Sequence, residues 1–147
     1  MRNARYSNKR KDDGFTLVEI LVVIIIIGIL AATAIPVFLN QRKKAVDASL
    51  KSDVGSIALE EETYYIDFRS FTAVPASSGT AVIGADKVRL SQGNVVVAVL
   101  NSTGTAYCIS ATNPNGSNTG SHATVYVSSK GGLQPNTTVS CPASGAF

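Results

Sequence analysis

FTLVEILVVIIIIGILAATAIPVFL, Phe15 to Leu39, is a run of 25 residues that holds a single formal charge, Glu19. Wound as a helix, a run of this length can cross a hydrocarbon core about 30 Å thick. A carboxylate in hydrocarbon is costly, about 2.5–3.5 kcal/mol on insertion scales at the centre of a helix and less near an end. Glu19 is the fifth residue of the run and therefore needs a partner.

Upstream, residues 1–14 carry Arg2, Arg5, Lys9, Arg10 and Lys11 against Asp12 and Asp13, which accounts for the whole net charge of +3. From Phe15 onward eight basic and eight acidic residues balance, so no bulk basicity is left there to attract nucleic acid. The basic stretch places the N-terminus on the cytoplasmic side by the positive-inside rule. Two plainer readings compete at this point. One is an ordinary secretory signal cut near Ala31-Ala32-Thr33-Ala34, which would remove the apolar core with it. The other is an uncut signal anchor carrying a binding domain.

Basic residues followed by Gly14-Phe15-Thr16-Leu17-Val18-Glu19 resemble the processing site of a type IV prepilin. The resemblance implies that a peptidase cuts after Gly14, that Phe15 is N-methylated, and that its new amine neutralises the Glu19 of another subunit. Physical chemistry is consistent with each role. A residue without Cβ allows close backbone approach. An amine with a pKa near 8 is mostly protonated at pH 7. An unpaired buried carboxylate is expensive. A rival account places Glu19 in the first turn of its own helix, stabilised by the helix dipole. Gly28 lowers helix propensity, and Pro36 removes an amide donor and loosens the turn before it. In the resembled family a glycine and a proline at these offsets bracket a segment that can extend on assembly. The leader, at 14 residues, is long for the short-leader pilins, which leaves the subclass open.

The resemblance also implies partners and place. These are a homo-oligomeric filament with the helices in its core, a prepilin peptidase, a motor ATPase and a membrane platform protein. The subunit would be a single-pass protein of the cytoplasmic membrane before assembly and part of an extracellular pilus afterwards. Adhesion, motility or DNA uptake would be properties of the polymer, and direct nucleic-acid binding stays open. Pseudopilins of type II secretion and competence systems share the same N-terminal features.

Past Leu39 the helix is expected to run on to Phe68 and become amphipathic, with Val46, Leu50, Val54, Ile57, Tyr64 and Phe68 near helical spacing and Glu61 interrupting the stripe. Candidate strands are Thr80–Ile83, Lys87–Leu90, Asn94–Leu100, Tyr107–Thr112 and Ala123–Ser128, rich in β-branched and aromatic residues between Gly, Asn and Pro. Alternation in the last two suggests one face on a core. Asn113–Ser121 and Ser129–Thr138 read as exposed loops. The expected fold class is α+β: a long N-terminal helix packed on a small antiparallel sheet. The expected segments are 1–14 (leader), 15–39 (membrane or filament-core helix), 40–69 (amphipathic helix) and 70–147 (β-rich part).

Cys108 and Cys141 are the two cysteines, and an even count beyond a membrane segment suggests an exported disulfide. Two unrelated buried thiols are the alternative. Catalysis has little support, because the one histidine, His122, lies among Ser, Thr and Gly. Glu60-Glu61-Glu62 point to different faces of a helix and read as solvated surface, with Glu61 nearer the domain. No Asp or Glu follows Asp86, and calcium sites draw on several carboxylates. No metal and no cofactor are expected. Arg42-Lys43-Lys44 fits phospholipid headgroups or DNA, or simply a solvated exit face, with Asp47 at i+4 from Lys43. Asn101, Asn115 and Asn136 head glycosylation sequons in a tail rich in Asn, Ser and Thr.

Overall fold

The computed structural model describes residues 14–117, 123–135, 140–141 and 147. His122, the sequon at Asn136 and parts of both predicted loops lie outside the described residues. The chain divides after Phe38 into two compact units. Helix α1, Leu17–Phe68, belongs to both.

In the first unit the helix begins at Leu17, two residues later than Phe15. Thr16 sets that start. Its hydroxyl accepts the Glu19 amide at 3.2 Å, and its carbonyl accepts Ile20 N–H at 3.4 Å. This is an N-cap, which satisfies a donor that the first turn would otherwise leave unpaired.

In the second unit, Leu50, Asp53, Val54, Ile57, Ala58 and Glu61 are the buried residues of α1. Their spacing of three and four residues is one helix face. The apolar stripe read from the sequence is therefore right at its centre and overextended at its end. Val46 and Tyr64 are half-buried, whereas Phe68 is exposed and stacks on Tyr64 at 4.5 Å.

Seven strands follow: β1 (Val74–Ser78), β2 (Thr80–Ile83), β3 (Asp86–Arg89), β4 (Val95–Leu100), β5 (Tyr107–Thr112), β6 (Thr124–Val127) and β7 (Gly132–Leu133). A five-stranded antiparallel sheet has the order β1-β4-β5-β6-β7, and β2 and β3 form a separate hairpin. Gly84 and Ala85 make the hairpin's two-residue turn between the paired Ile83 and Asp86. Gly84 has φ +60°, and the Tyr64 ring lies where a Cβ would project, so glycine is required there twice over. Both sheet edges are blunted. β1 carries Pro75 and a bulge between Val74 and Ser77, while β7 is two residues long.

Leu50, Val54, Ile57 and Ala58 of α1 pack with Val74, Ala81, Ile83, Val96, Ala98, Tyr107, Ile109 and Ala111 in one core. A second cluster joins Cys108, Ala123, Val125 and Val127, with Val99, Cys141 and Phe147 against it. The strand β5 supplies Tyr107 and Ile109 to the first core and Cys108 to the second, so it is buried on both faces. That corrects the expectation of one core face, because β5 is the central strand of the sheet. Cys108 and Cys141 are joined by a disulfide across 33 positions of sequence.

Candidate functional site

Glu19 is the third residue of α1, beside the positive end of the helix dipole. Its amide is held by Thr16, and its side chain stands exposed. Around it, 17 large apolar side chains between Phe15 and Leu39 are 45–81% exposed, Leu17 the most. α1 is the one helix among the described residues that is long and apolar enough to cross a membrane. The segment thus offers a hydrocarbon surface all round, with one acid near its start.

Gly28 and Pro36 lie in that surface, and α1 stays helical through both. A Cβ at Gly28 would meet nothing within 4 Å, so no contact among the described residues demands glycine there. Pro36 leaves the Ala32 carbonyl without its helical donor. One turn earlier the Thr33 hydroxyl donates to Leu30 O at 3.0 Å. Pro36 thus removes one helical hydrogen bond, and Gly28 has an open flank.

A family model described as the prokaryotic N-terminal methylation motif matches residues 9–35. The chain is 34% identical over 116 residues to the type IV wide pilus major component of Thermus thermophilus, covering 79% of each chain. The chain belongs to the type IV pilin family. This pilin is similar to two further relatives. One is the type IV major pilin of Neisseria gonorrhoeae, 34% identical over 100 residues, covering 62% of this chain and 54% of that one. The other is the type II secretion system core protein G of Pseudomonas aeruginosa, 39% identical over 59 residues, covering 40% of this chain and 42% of that one. These relatives are structural pilins and a secretion core protein, not enzymes.

The pilin's second unit holds a buried polar network that was not legible in advance. Asp53, 5% exposed, accepts from Ser91 N at 2.8 Å, Ser91 Oγ at 2.9 Å and Asn94 Nδ2 at 2.7 Å. The Asn94 amide also donates to Ser49 Oγ at 3.1 Å, and its carbonyl accepts Asn113 Nδ2 at 2.6 Å. Asp47 accepts Ser117 N–H at 2.9 Å and the Ser117 hydroxyl, and so serves a loop rather than Lys43. The network binds α1 to the turn before β4 and to the loop after β5.

Glu61 departs furthest from expectation. It is 0% exposed and lies on the buried face, one turn after Ile57. One carboxylate oxygen accepts Thr72 N–H at 3.0 Å, and the other has no hydrogen-bond partner. Burial pushes its carboxyl above the usual carboxylate range; the Thr72 bond opposes this and neighbouring Glu62 reinforces it. Tyr107, fully buried, donates its O–H to Glu62 Oε1 at 2.9 Å, and burial raises its phenol as well. Glu62 is the solvated member of the triplet and Glu60 is half-buried.

Among the described residues no group of three His, Cys, Asp or Glu side chains could hold a metal ion. Asn101 spends its side chain on its own loop, accepting Thr105 N at 2.8 Å and Ala106 N at 3.1 Å. Sequence reasoning missed two features that patterns could have revealed. Thr16-x-x-Glu19 is a capping-box spacing, and Gly84-Ala85 between two strands is a hairpin signal.

Proposed function

We propose that this chain is made as a prepilin, cut between Gly14 and Phe15, methylated at the new amine, and polymerised through α1 into an extracellular type IV pilus. The observation that carries the reading is Glu19 standing alone on an apolar stretch of helix, 15–39, whose large side chains have no cover among the described residues. In a filament, that hydrocarbon surface is buried against other copies, and burial of apolar area is favourable at about 25 cal/mol per Å². The same burial penalises Glu19 unless a cation meets it. The Phe15 amine of a neighbouring subunit supplies that cation only after cleavage. Thr16 stops the helix short of the Gly14–Phe15 bond, which keeps that bond outside helical structure.

Before assembly, the segment 15–39 anchors the subunit in the cytoplasmic membrane with residues 1–14 on the cytoplasmic side. Residues 40–69 then form the amphipathic helix and 70–147 the β-rich part that faces outward. Gly28 and Pro36 are assigned as the weak points where the helix loosens on assembly. Prepilin peptidase, a motor ATPase and a platform protein are the partners this route requires. A pseudopilin of a secretion system is the second reading, favoured by the shorter match to a secretion core protein. The match over most of the chain to a pilus component favours the pilus.

The test is mass spectrometry of protein sheared from cells, with microscopy of the same preparation. A mature start at methylated Phe15 in surface filaments is the expected result. Membranes holding only the chain from Met1 would overturn it. Glu19→Ala should leave insertion intact and reduce filament yield at least about tenfold, the loss of one buried ion pair partner. A normal yield would remove the assembly role from Glu19.

A further inference from the structure

We propose that Arg42, Lys43 and Lys44 form a cationic collar that binds the phosphates of anionic phospholipid headgroups in the membrane-anchored subunit. The assignment presupposes the reading that Phe15–Leu39 lies in a bilayer before assembly. Leu39, half-exposed, is the last large apolar residue of the run, and Arg42 follows three residues later. Three residues of helix rise about 4.5 Å. The headgroup layer adds roughly 5–7 Å beyond the hydrocarbon on each side. The three cations therefore fall at the level of the phosphates wherever Leu39 marks the hydrocarbon boundary.

Their arrangement around the helix matters as much as their height. Consecutive helical residues are about 100° apart, so three of them sweep about 200° of the circumference. All three are exposed. They make a partial ring, which meets lipids on several sides, rather than a stripe that would meet one partner surface. Their long stems let the charged ends reach phosphates while the methylenes stay against acyl chains.

Nothing within the described chain neutralises them. The carboxylate nearest in sequence, Asp47, is bound to Ser117. Asp53 is buried with Ser91 and Asn94. None of the three cations has an ion pair among the described residues. Apart from these three, the chain beyond residue 14 holds five basic against eight acidic residues, so the collar has no extended basic surface around it for a nucleic-acid duplex. Cations at this end of the span also weaken the charge bias by which residues 1–14 orient it. A merely solvated exit would be served by uncharged polar residues at no such cost.

The test uses the full chain reconstituted in vesicles of phosphatidylcholine, alone or mixed with phosphatidylglycerol. Flotation reports membrane association, and native mass spectrometry of the released protein counts the lipids retained. Each cation near an anionic surface contributes about fivefold, the equivalent of ~1 kcal/mol. R42Q/K43Q/K44Q should float as the parent does and lose at least about tenfold of its preference for phosphatidylglycerol, with raised salt doing the same to the parent. K9Q/R10Q/K11Q, at the other end of the span where Asp12 and Asp13 already offset the charge, should lose less of that preference. Equal helicity and an intact disulfide in both variants establish that they fold. The collar is overturned if R42Q/K43Q/K44Q floats and retains phosphatidylglycerol like the parent. It is equally overturned if that variant loses binding to a duplex DNA fragment while its lipid preference is unchanged. Failure of the parent to float with any vesicle would sink the membrane reading, and the collar with it, which separates the two failures.

Discussion

Replacing Asp53 by alanine should cost the second unit about 3–4 kcal/mol. The carboxylate accepts three hydrogen bonds of 2.7–2.9 Å at 5% exposure. Hydrogen bonds to a charged group contribute about 1.5–3 kcal/mol each. Their sum overshoots, because Ser91 is half-buried and its donors reach water once released. Asn94 is 0% exposed but keeps Ser49 as a partner. Asp53→Asn retains one acceptor oxygen and turns a donor toward donors, so about 2 kcal/mol is expected. A domain of this size has about 5–15 kcal/mol in all. The assay is urea unfolding of the full chain in detergent, followed by the near-ultraviolet circular dichroism of the core tyrosines. With a slope of about 1–2 kcal/mol per molar, the alanine midpoint should fall by about 2 M at unchanged slope. A double-mutant cycle with Asn94→Ala should return a coupling above about 1 kcal/mol. An alanine variant within about 1 kcal/mol of the parent would refute the idea that this network fastens α1 to the loops.

Two more outcomes follow from the same unit. Glu61 has its carboxyl raised in the folded state above the ordinary value of 4.5, so the native protein holds more protons than the unfolded chain between those two points. Stability is therefore complete below the unfolded pKa and declines as pH rises through the folded one. Glu61→Gln should flatten that decline, leaving the variant the more stable form at alkaline pH; parallel pH profiles would show that Glu61 is not its source. Replacing Cys108 and Cys141 together by alanine should cost roughly 3–4 kcal/mol for a loop of 33 residues, a fall in Tm of about 10–20 °C. An unchanged Tm would mean that the bridge adds nothing to the packing beneath it.

The apolar run and the helix it announces were legible because a single property, hydrocarbon without charge, extends over 25 residues. β2 and β5 match their sequence-based bounds because β-branched and aromatic residues end there at turn formers. β1 escaped because Pro75 argues against a strand, and only its place on the sheet edge makes proline tolerable. β7 has no sequence signal of its own; Gly132 and Leu133 are extended because Val127 and Tyr126 pair with them. Glu61 seemed to break the buried stripe, yet it continues it. What admits it is the Thr72 amide, 11 residues away and invisible to any periodicity. At the candidate site the residues themselves were readable, Glu19 above all, but the Thr16 cap that fixes where the helix starts was not drawn from them.

The bridge from Cys141 to the central strand gives the fold a finishing step that depends on surroundings. In a reducing compartment the helix-side core can assemble from residues that include no cysteine. The opposite cluster has Cys108 at its centre and Cys141 against it, so it lacks its covalent tie until the thiols are oxidised. That tie forms only where the surroundings oxidise thiols. A copy still in reducing surroundings carries one finished face of the sheet and one that is held by contact alone.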